Sequence, residues 1–267
     1  MDSDWKARKT WLAHLPKELP EELRTPADIA AFELDSFFTA RGISCPYTLA
    51  LSEELGDAWL LEDSCLTGGP TGILYGAYSL IRCAVAGLPL PVGRQQPYYP
   101  LRMLDCWDNM DGTIERGYAG RSLWFEGGSF SYDPARIRQL GRMLASAGIN
   151  VLCLNNVNVH QPAQQLMGAF LPHLAAFSAL LRPFGIRLMV SIDFSSPLSH
   201  GLDSADPLDP DVARWWKDQT ARVYQAVPDL AGFLVKADSE HQPGPASYGR
   251  SHAEGANMLA RDRKSVV

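Results

Sequence analysis

Two stretches of this chain concentrate side chains able to work on a polar substrate. Residues 104–121 carry an indole (Trp107), an amide (Asn109), three aspartates (Asp105, Asp108, Asp111), Glu115, Arg116 and Arg121. Three glycines (Gly112, Gly117, Gly120) supply sharp turns among them. That mixture suits neither helix nor strand, and it reads as a loop leaving a short strand. In the second stretch, 232–245, an apolar run ending at Val235 passes directly into Lys236, Asp238 and Glu240. A carboxyl group at a strand end can protonate a departing oxygen if partial dehydration raises its pKa. By position alone, however, a Glu such as Glu240 is more often a solvated loop residue. A Lys at the mouth of an apolar strand, as Lys236 is, points into a site, where its ammonium can pair with a carboxylate or a hydroxyl. Trp107 offers a flat apolar face to a sugar ring, although most tryptophans, Trp215 and Trp216 among them, read as core. Asp238 either orients Lys236 or caps the turn, and Glu115 with Arg116 reads as a loop brace. His160, His241 and His252 lack ligand spacing, so neither a metal nor a cofactor is expected.

The elements that must position these groups alternate. From about residue 97, strands are predicted at 101–104, 151–154, 187–192 and 232–235, and helices at 134–147, 162–181 and 211–226. Strand–helix alternation implies a parallel sheet with crossover helices. Each strand is followed by a polar loop rich in Gly, Pro or Asn. Chemistry after strand C-termini fits a (β/α)8 barrel; doubly wound sheets share the rule, so the pattern alone leaves both open. Residues 1–95 read as a small α/β module. It has a helix from Pro26 to about Ala40 with Thr25 as N-cap, strands at 47–52 and 58–62, and a helix at 72–86 stopped by Gly87. Residues 88–93 read as a linker, and the module up to about Val92 is expected to close locally.

The net charge of −6 and a pI near 5.5 argue against nucleic acid and anionic membrane as partners. No apolar run reaches 18 residues, so no transmembrane helix is expected. The first residues carry no apolar signal-peptide core, and a cytoplasmic location is expected. The five cysteines (Cys45, Cys65, Cys83, Cys106, Cys153) form no CxxC pattern and read as reduced thiols.

The ordered motifs WDNMDGTIERGYAGRS (107–122), LNNVN (154–158), SIDFSSP (191–197), SADPLDPDVARWW (204–216), GFLVKADSEHQPGP (232–245) and YGRSHAEGANMLAR (248–261) together resemble the α-glucuronidases of glycoside hydrolase family 67. The resemblance runs from about Tyr75 to Arg261. It implies a small α/β domain (1–95) followed by the first half of a (β/α)8 TIM barrel (96–267), about four βα units of an α/β fold. It also implies removal of (4-O-methyl-)D-glucuronic acid α-1,2-linked to xylose in xylooligosaccharides, with inversion. By the same resemblance Glu240 is the general acid, Lys236 contacts substrate, Trp107 lines the uronic acid pocket and Val157 packs against the sugar ring. Asn109 is a weaker substrate-binding candidate; Asn155 and Asn158 are equally suited to bonding sugar hydroxyls or to holding the loop. Cys106 stands where the family often has His, and Asp193 where Asn is usual.

In the family the base machinery, an Asp and a Glu, and an Arg and a further Lys that clamp the substrate carboxylate come from later strands. The charged end, residues 261–267, reads as a truncation or frame change. This chain alone is therefore expected to be inactive; the alternatives to the family's reaction are a different uronidase using the same half-site and an inactive or carbohydrate-binding fragment without catalysis, and the open half barrel allows a homodimer.

Overall fold

The computed structural model describes residues 11–16, 18–239 and 242–261. Its contacts divide the chain into two compact units, the first formed by Met1–Arg102, Pro134–Asn150 and Leu180–Ile186 and the second by Met103–Asp133, Val151–Ala179 and Arg187–Val267. The first unit thus continues past residue 95 in two later pieces.

In the first unit, helix α1 (Pro26–Thr39) begins with a complete capping box. The Thr25 hydroxyl accepts the Asp28 N–H at 3.1 Å and the Asp28 carboxylate accepts the Thr25 N–H at 2.9 Å. Two of the helix's orphan donors are thereby satisfied. Its core face is Ile29, Leu34, Phe37 and Phe38. Helix α2 (Gly72–Ala86) ends as predicted at Gly87, whose φ of +63° only glycine adopts cheaply. Strands β1 (Thr48–Leu51), β2 (Trp59–Glu62) and β3 (Cys65–Gly68) form a sheet in the order β1-β3-β2. Strand β3, central in that sheet, is absent from the sequence reading. It follows a two-residue turn at Asp63 and Ser64, both at positive φ, that lacks the glycine which usually announces such a turn. Helix α2 packs closely on this sheet: a Cβ at Gly76 would lie 2.6 Å from the Leu66 side chain.

Helix α3 (Pro134–Ser146) belongs to this same unit. Its Arg142 forms a two-pronged ion pair with Glu33 of α1, and the Tyr78 hydroxyl donates to the same carboxylate at 3.1 Å. Glu33 is fully buried and Arg142 nearly so. Burial pushes the Glu33 carboxyl up, and Arg142 opposes that shift.

The second unit holds a four-stranded sheet, β4 (Met103–Asp105), β7 (Val151–Cys153), β8 (Arg187–Asp193) and β9 (Gly232–Lys236), all parallel and in chain order. A parallel α/β sheet is what the alternation predicts. Strand β7 is wholly buried and β8 is buried from Leu188 to Asp193, as strands covered on both faces must be. Strand β4 starts two residues later than predicted, because the Arg102 N–H is taken by the Asn150 side chain at 2.9 Å. A short hairpin, β5 (Phe125–Glu126) and β6 (Ser129–Phe130), lies in the loop after β4. Phe125, Phe130, Trp124 and Tyr132 there cluster edge-on and tilted around one another and around Phe177. The Trp124 indole N–H donates to the Leu154 carbonyl at 3.1 Å, so the long loop is anchored beside the end of β7.

The helix predicted over 162–181 is two pieces, a 3-10 turn at Ala163–Met167 and helix α4 (Leu171–Leu181). The break falls at Gly168, and Pro172, lacking an N–H, is tolerated only in a first turn. Helix α5 (Pro210–Ala226) is capped by Asp209, which accepts the Asp211 N–H at 2.8 Å. Helix α6 (His252–Ala260) has a Ser251–Glu254 capping box.

Candidate active site

The functional candidates gather at the C-terminal ends of β4, β7, β8 and β9. The register pairs Asp193 with Lys236, so both side chains stand on one face at the last rung of the β8–β9 ladder. Asp193 accepts the Ser195 N–H and hydroxyl at 2.8 and 2.9 Å and the Gln164 amide at 2.7 Å. Its role in this arrangement is to shape the turn after β8.

Lys236 is half-buried. Its ammonium donates to Asn158 Oδ1 at 2.8 Å and lies 6.0 Å from the centre of the Trp107 ring, at the limit of a cation–π contact. The Trp107 indole N–H donates to Asp105 at 3.2 Å, which sets the tilt of its ring. Thus three residues singled out in the sequence, Trp107, Asn158 and Lys236, meet, although they come from three different strand ends. Asn109 joins them through Asn156, whose amide donates to Asn109 Oδ1 at 2.9 Å and whose own oxygen accepts the Asn158 N–H at 2.9 Å. Asn109 in turn donates to the Glu115 carbonyl at 2.7 Å and to the Thr113 hydroxyl at 2.9 Å. Val157 is half-buried between the two asparagines of this loop. Asn155 does not face the site. It is fully buried and ties the end of β7 to β8, accepting the Ser191 N–H at 2.9 Å and donating to the Ser191 carbonyl at 3.1 Å.

A cleft of about 540 Å³ adjoins this group, with Asp108, Asn109, Glu115, Asn156, Asn158 and His160 among its walls. Asp108 is 4% exposed, and burial holds its carboxyl above the usual carboxylate range while a hydrogen bond from Ser122 pulls it back. Glu115 sits at a φ of +57°, and its carboxylate takes the Arg116 N–H at 2.6 Å. Its ion pair with the Arg116 guanidinium is longer, at 3.8 Å. Arg121 pairs instead with Glu126 at 3.3 Å. Beneath the site, burial pushes the thiols of Cys106 and Cys153 up to about 12, which leaves them without nucleophilic character near neutral pH.

The general-acid candidate, Glu240, lies with His241 outside the described residues. The described residues on either side of them are braced. Ser239 and Gln242 are bridged to each other, and the Gln242 N–H donates to the Ser239 carbonyl at 2.9 Å. Asp238, at a φ of +52°, accepts the Ala246 N–H at 3.0 Å and meets the His252 ring at 3.0 Å. Of the two roles open to Asp238 in the sequence, these contacts are those of a turn cap. Two contributors have no signal in the sequence: Asn156, which resembles its neighbours in LNNVN, and the burial of Asp108. Among the described residues, no group of three or more His, Cys, Asp or Glu side chains could hold a metal ion, and no helix is long and apolar enough to cross a membrane.

Residues 91–266 match the glycosyl hydrolase family 67 middle domain. Among curated relatives, the chain is 45% identical over 207 residues to "Probable alpha-glucuronidase A" of Aspergillus fumigatus, covering 76% of this chain and 24% of that protein. It is 45% identical over 195 residues to "Probable alpha-glucuronidase A" of Neosartorya fischeri, covering 72% and 23%. With "Alpha-glucuronidase A" of Aspergillus tubingensis it shares 44% identity over 192 residues, covering 71% and 23%. The chain therefore spans about a quarter of the length of these relatives. The match extends over most of the chain and includes every strand of the four-stranded sheet with its following loop, so the chain belongs to glycosyl hydrolase family 67.

Proposed function

We propose that this chain carries the acid-side half of an α-glucuronidase active site. The reaction is removal of (4-O-methyl-)D-glucuronic acid α-1,2-linked to xylose in xylooligosaccharides, with inversion. The supporting observation is the meeting of Trp107, Asn158 and Lys236 at the ends of parallel strands, in a chain that belongs to family 67 and whose relatives carry the name α-glucuronidase. In this reading the sheet is the first half of a (β/α)8 barrel. The Lys236 ammonium takes the uronate carboxylate, Trp107 stacks on the ring, and Val157 shapes the pocket. Asn109 and Asn158 border the sugar, and Glu240 protonates the departing xylose oxygen.

Inversion also requires a carboxylate about 6.5–9.5 Å across the ring to activate water. None of these 267 residues is placed as that base, so the chain alone is expected to bind but not to hydrolyse. In assays on aldouronic acids, the purified chain should release no glucuronic acid. Release that disappears in Glu240→Ala would place a complete site within the chain and overturn this part of the proposal. With this chain joined to the remainder of the relatives' length, Glu240→Ala should lower turnover of natural substrates by about 10²–10⁴-fold. It should spare substrates with acidic leaving groups, which need no proton. Equal losses on both would make Glu240 structural.

A further inference from the structure

From the asparagine network we infer that Asn156 is a positioning residue that sets the Lys236 ammonium through Asn158, without itself touching a sugar. The inference rests on the reading that Lys236 receives the uronate. Asn156 is 6% exposed, and both ends of its amide have fixed partners. Its oxygen faces the Asn158 N–H, a group that can only donate. Its nitrogen must then be the end facing Asn109 Oδ1, and it also reaches the Glu115 carbonyl at 3.4 Å.

Asn109 is oriented by the same logic. Its nitrogen points at the Glu115 carbonyl, an obligate acceptor, which leaves its oxygen for Asn156. The Asn156 main-chain N–H donates to the Asp108 carbonyl at 2.9 Å, stitching the loop after β7 to the loop after β4. The polarity therefore runs one way, from a backbone carbonyl in the first loop through two amides to the backbone of Asn158. The Asn158 side-chain oxygen then accepts from Lys236 at 2.8 Å. An ammonium on a four-carbon stem has many rotamers, and a fixed acceptor removes most of them. Holding a binding group in place by its outer partners is a recurrent way of keeping a site productive. Asn109 and Asn158, both substrate-binding candidates in the sequence, use much of their hydrogen-bonding capacity on this relay.

The test is ¹⁵N-detected NMR of lysine ammonium groups in the 267-residue chain, with the Lys236 signal assigned through Lys236→Arg. Wild type is expected to show a hydrogen-bonded Lys236 signal with slow exchange. Asn156→Ala and Asn158→Ala should each speed that exchange about fivefold to tenfold, while Asn257→Ala, an exposed control, should not. Asn158→Asp should restore the signal, since a carboxylate oxygen accepts in the amide's place, yet weaken binding of an anionic ligand by adding negative charge beside the ammonium. If Asn156→Ala does not fold, Asn109→Ala, which removes the acceptor orienting the Asn156 amide, should speed exchange in its stead. A Lys236 signal unchanged in Asn156→Ala, or in Asn109→Ala where that variant stands in, would overturn the inference. Titration with aldobiouronic acid separates the two claims. If it leaves the wild-type Lys236 signal unmoved, the uronate reading falls, whereas the relay is judged by the ligand-free exchange.

Discussion

Asp108 shows at a single residue how the site trades stability for polarity. Its carboxyl is held above the usual range by burial, so the folded chain binds that proton more tightly than the unfolded chain does. The stabilising contribution is complete below the unfolded pKa and is lost as pH rises through the folded one. At neutral pH the charge is therefore a liability. Asp108→Asn should raise the melting temperature at pH 7 and raise it less at pH 4; equal gains at both pH values would show that burial of the charge is not the cause. Residues of this kind differ in how readable they are. Trp107 and Lys236 are legible because each breaks the character of its surroundings, an indole among acids and a Lys at the end of an apolar strand. Asn156 is not, because LNNVN presents similar amides and only the fold tells them apart. Asn155 locks two strands, Asn156 orients a loop and Asn158 holds an ammonium.

At the scale of elements, α3 is legible as a helix from Asp133, Pro134 and Gly148, but its membership is not. Sequence order puts it after the first strand of the parallel sheet, whereas its buried Arg142 pairs with Glu33 of α1. A partner more than a hundred positions away leaves no periodic trace. Without α3, Glu33 loses the cation it is buried against. Arg142→Ala should cost about 3–5 kcal/mol in denaturant unfolding, the usual result of leaving one charge of a buried pair alone. A cost below about 1 kcal/mol, the range of exposed pairs, would mean that water reaches Glu33. Close packing gives an independent check on the same helix. A Cβ at Gly141 would lie 2.6 Å from the Phe184 ring, so Gly141→Ala should cost about 1–3 kcal/mol by overpacking.

For the whole molecule, the βα alternation made the parallel sheet legible, since four strands separated by helical segments have few other solutions. What periodicity could not supply was the contrast between inner and outer strands. Val190 and Ile192 of β8 are buried. The outer strands are where apolar surface remains, with Leu104 of β4 39% exposed and Leu234 and Val235 of β9 half-buried. Among the described residues β4 and β9 are the edge strands of this sheet, and an edge strand is a template for association. The purified chain should accordingly self-associate in size-exclusion chromatography, and charge substitution at Leu104 should reduce that association. A monodisperse monomer at high concentration would show that these edges are satisfied within the chain.

Recognition of a uronic acid through Lys236, as proposed, is tested most directly by calorimetric titration. Aldobiouronic acid, glucuronic acid α-1,2-linked to xylose, should bind saturably, xylobiose should bind at least tenfold more weakly, and Lys236→Ala should remove the difference between them. Equal affinity of the wild-type chain for both ligands, or an undiminished preference for the uronic acid in Lys236→Ala, would contradict the account.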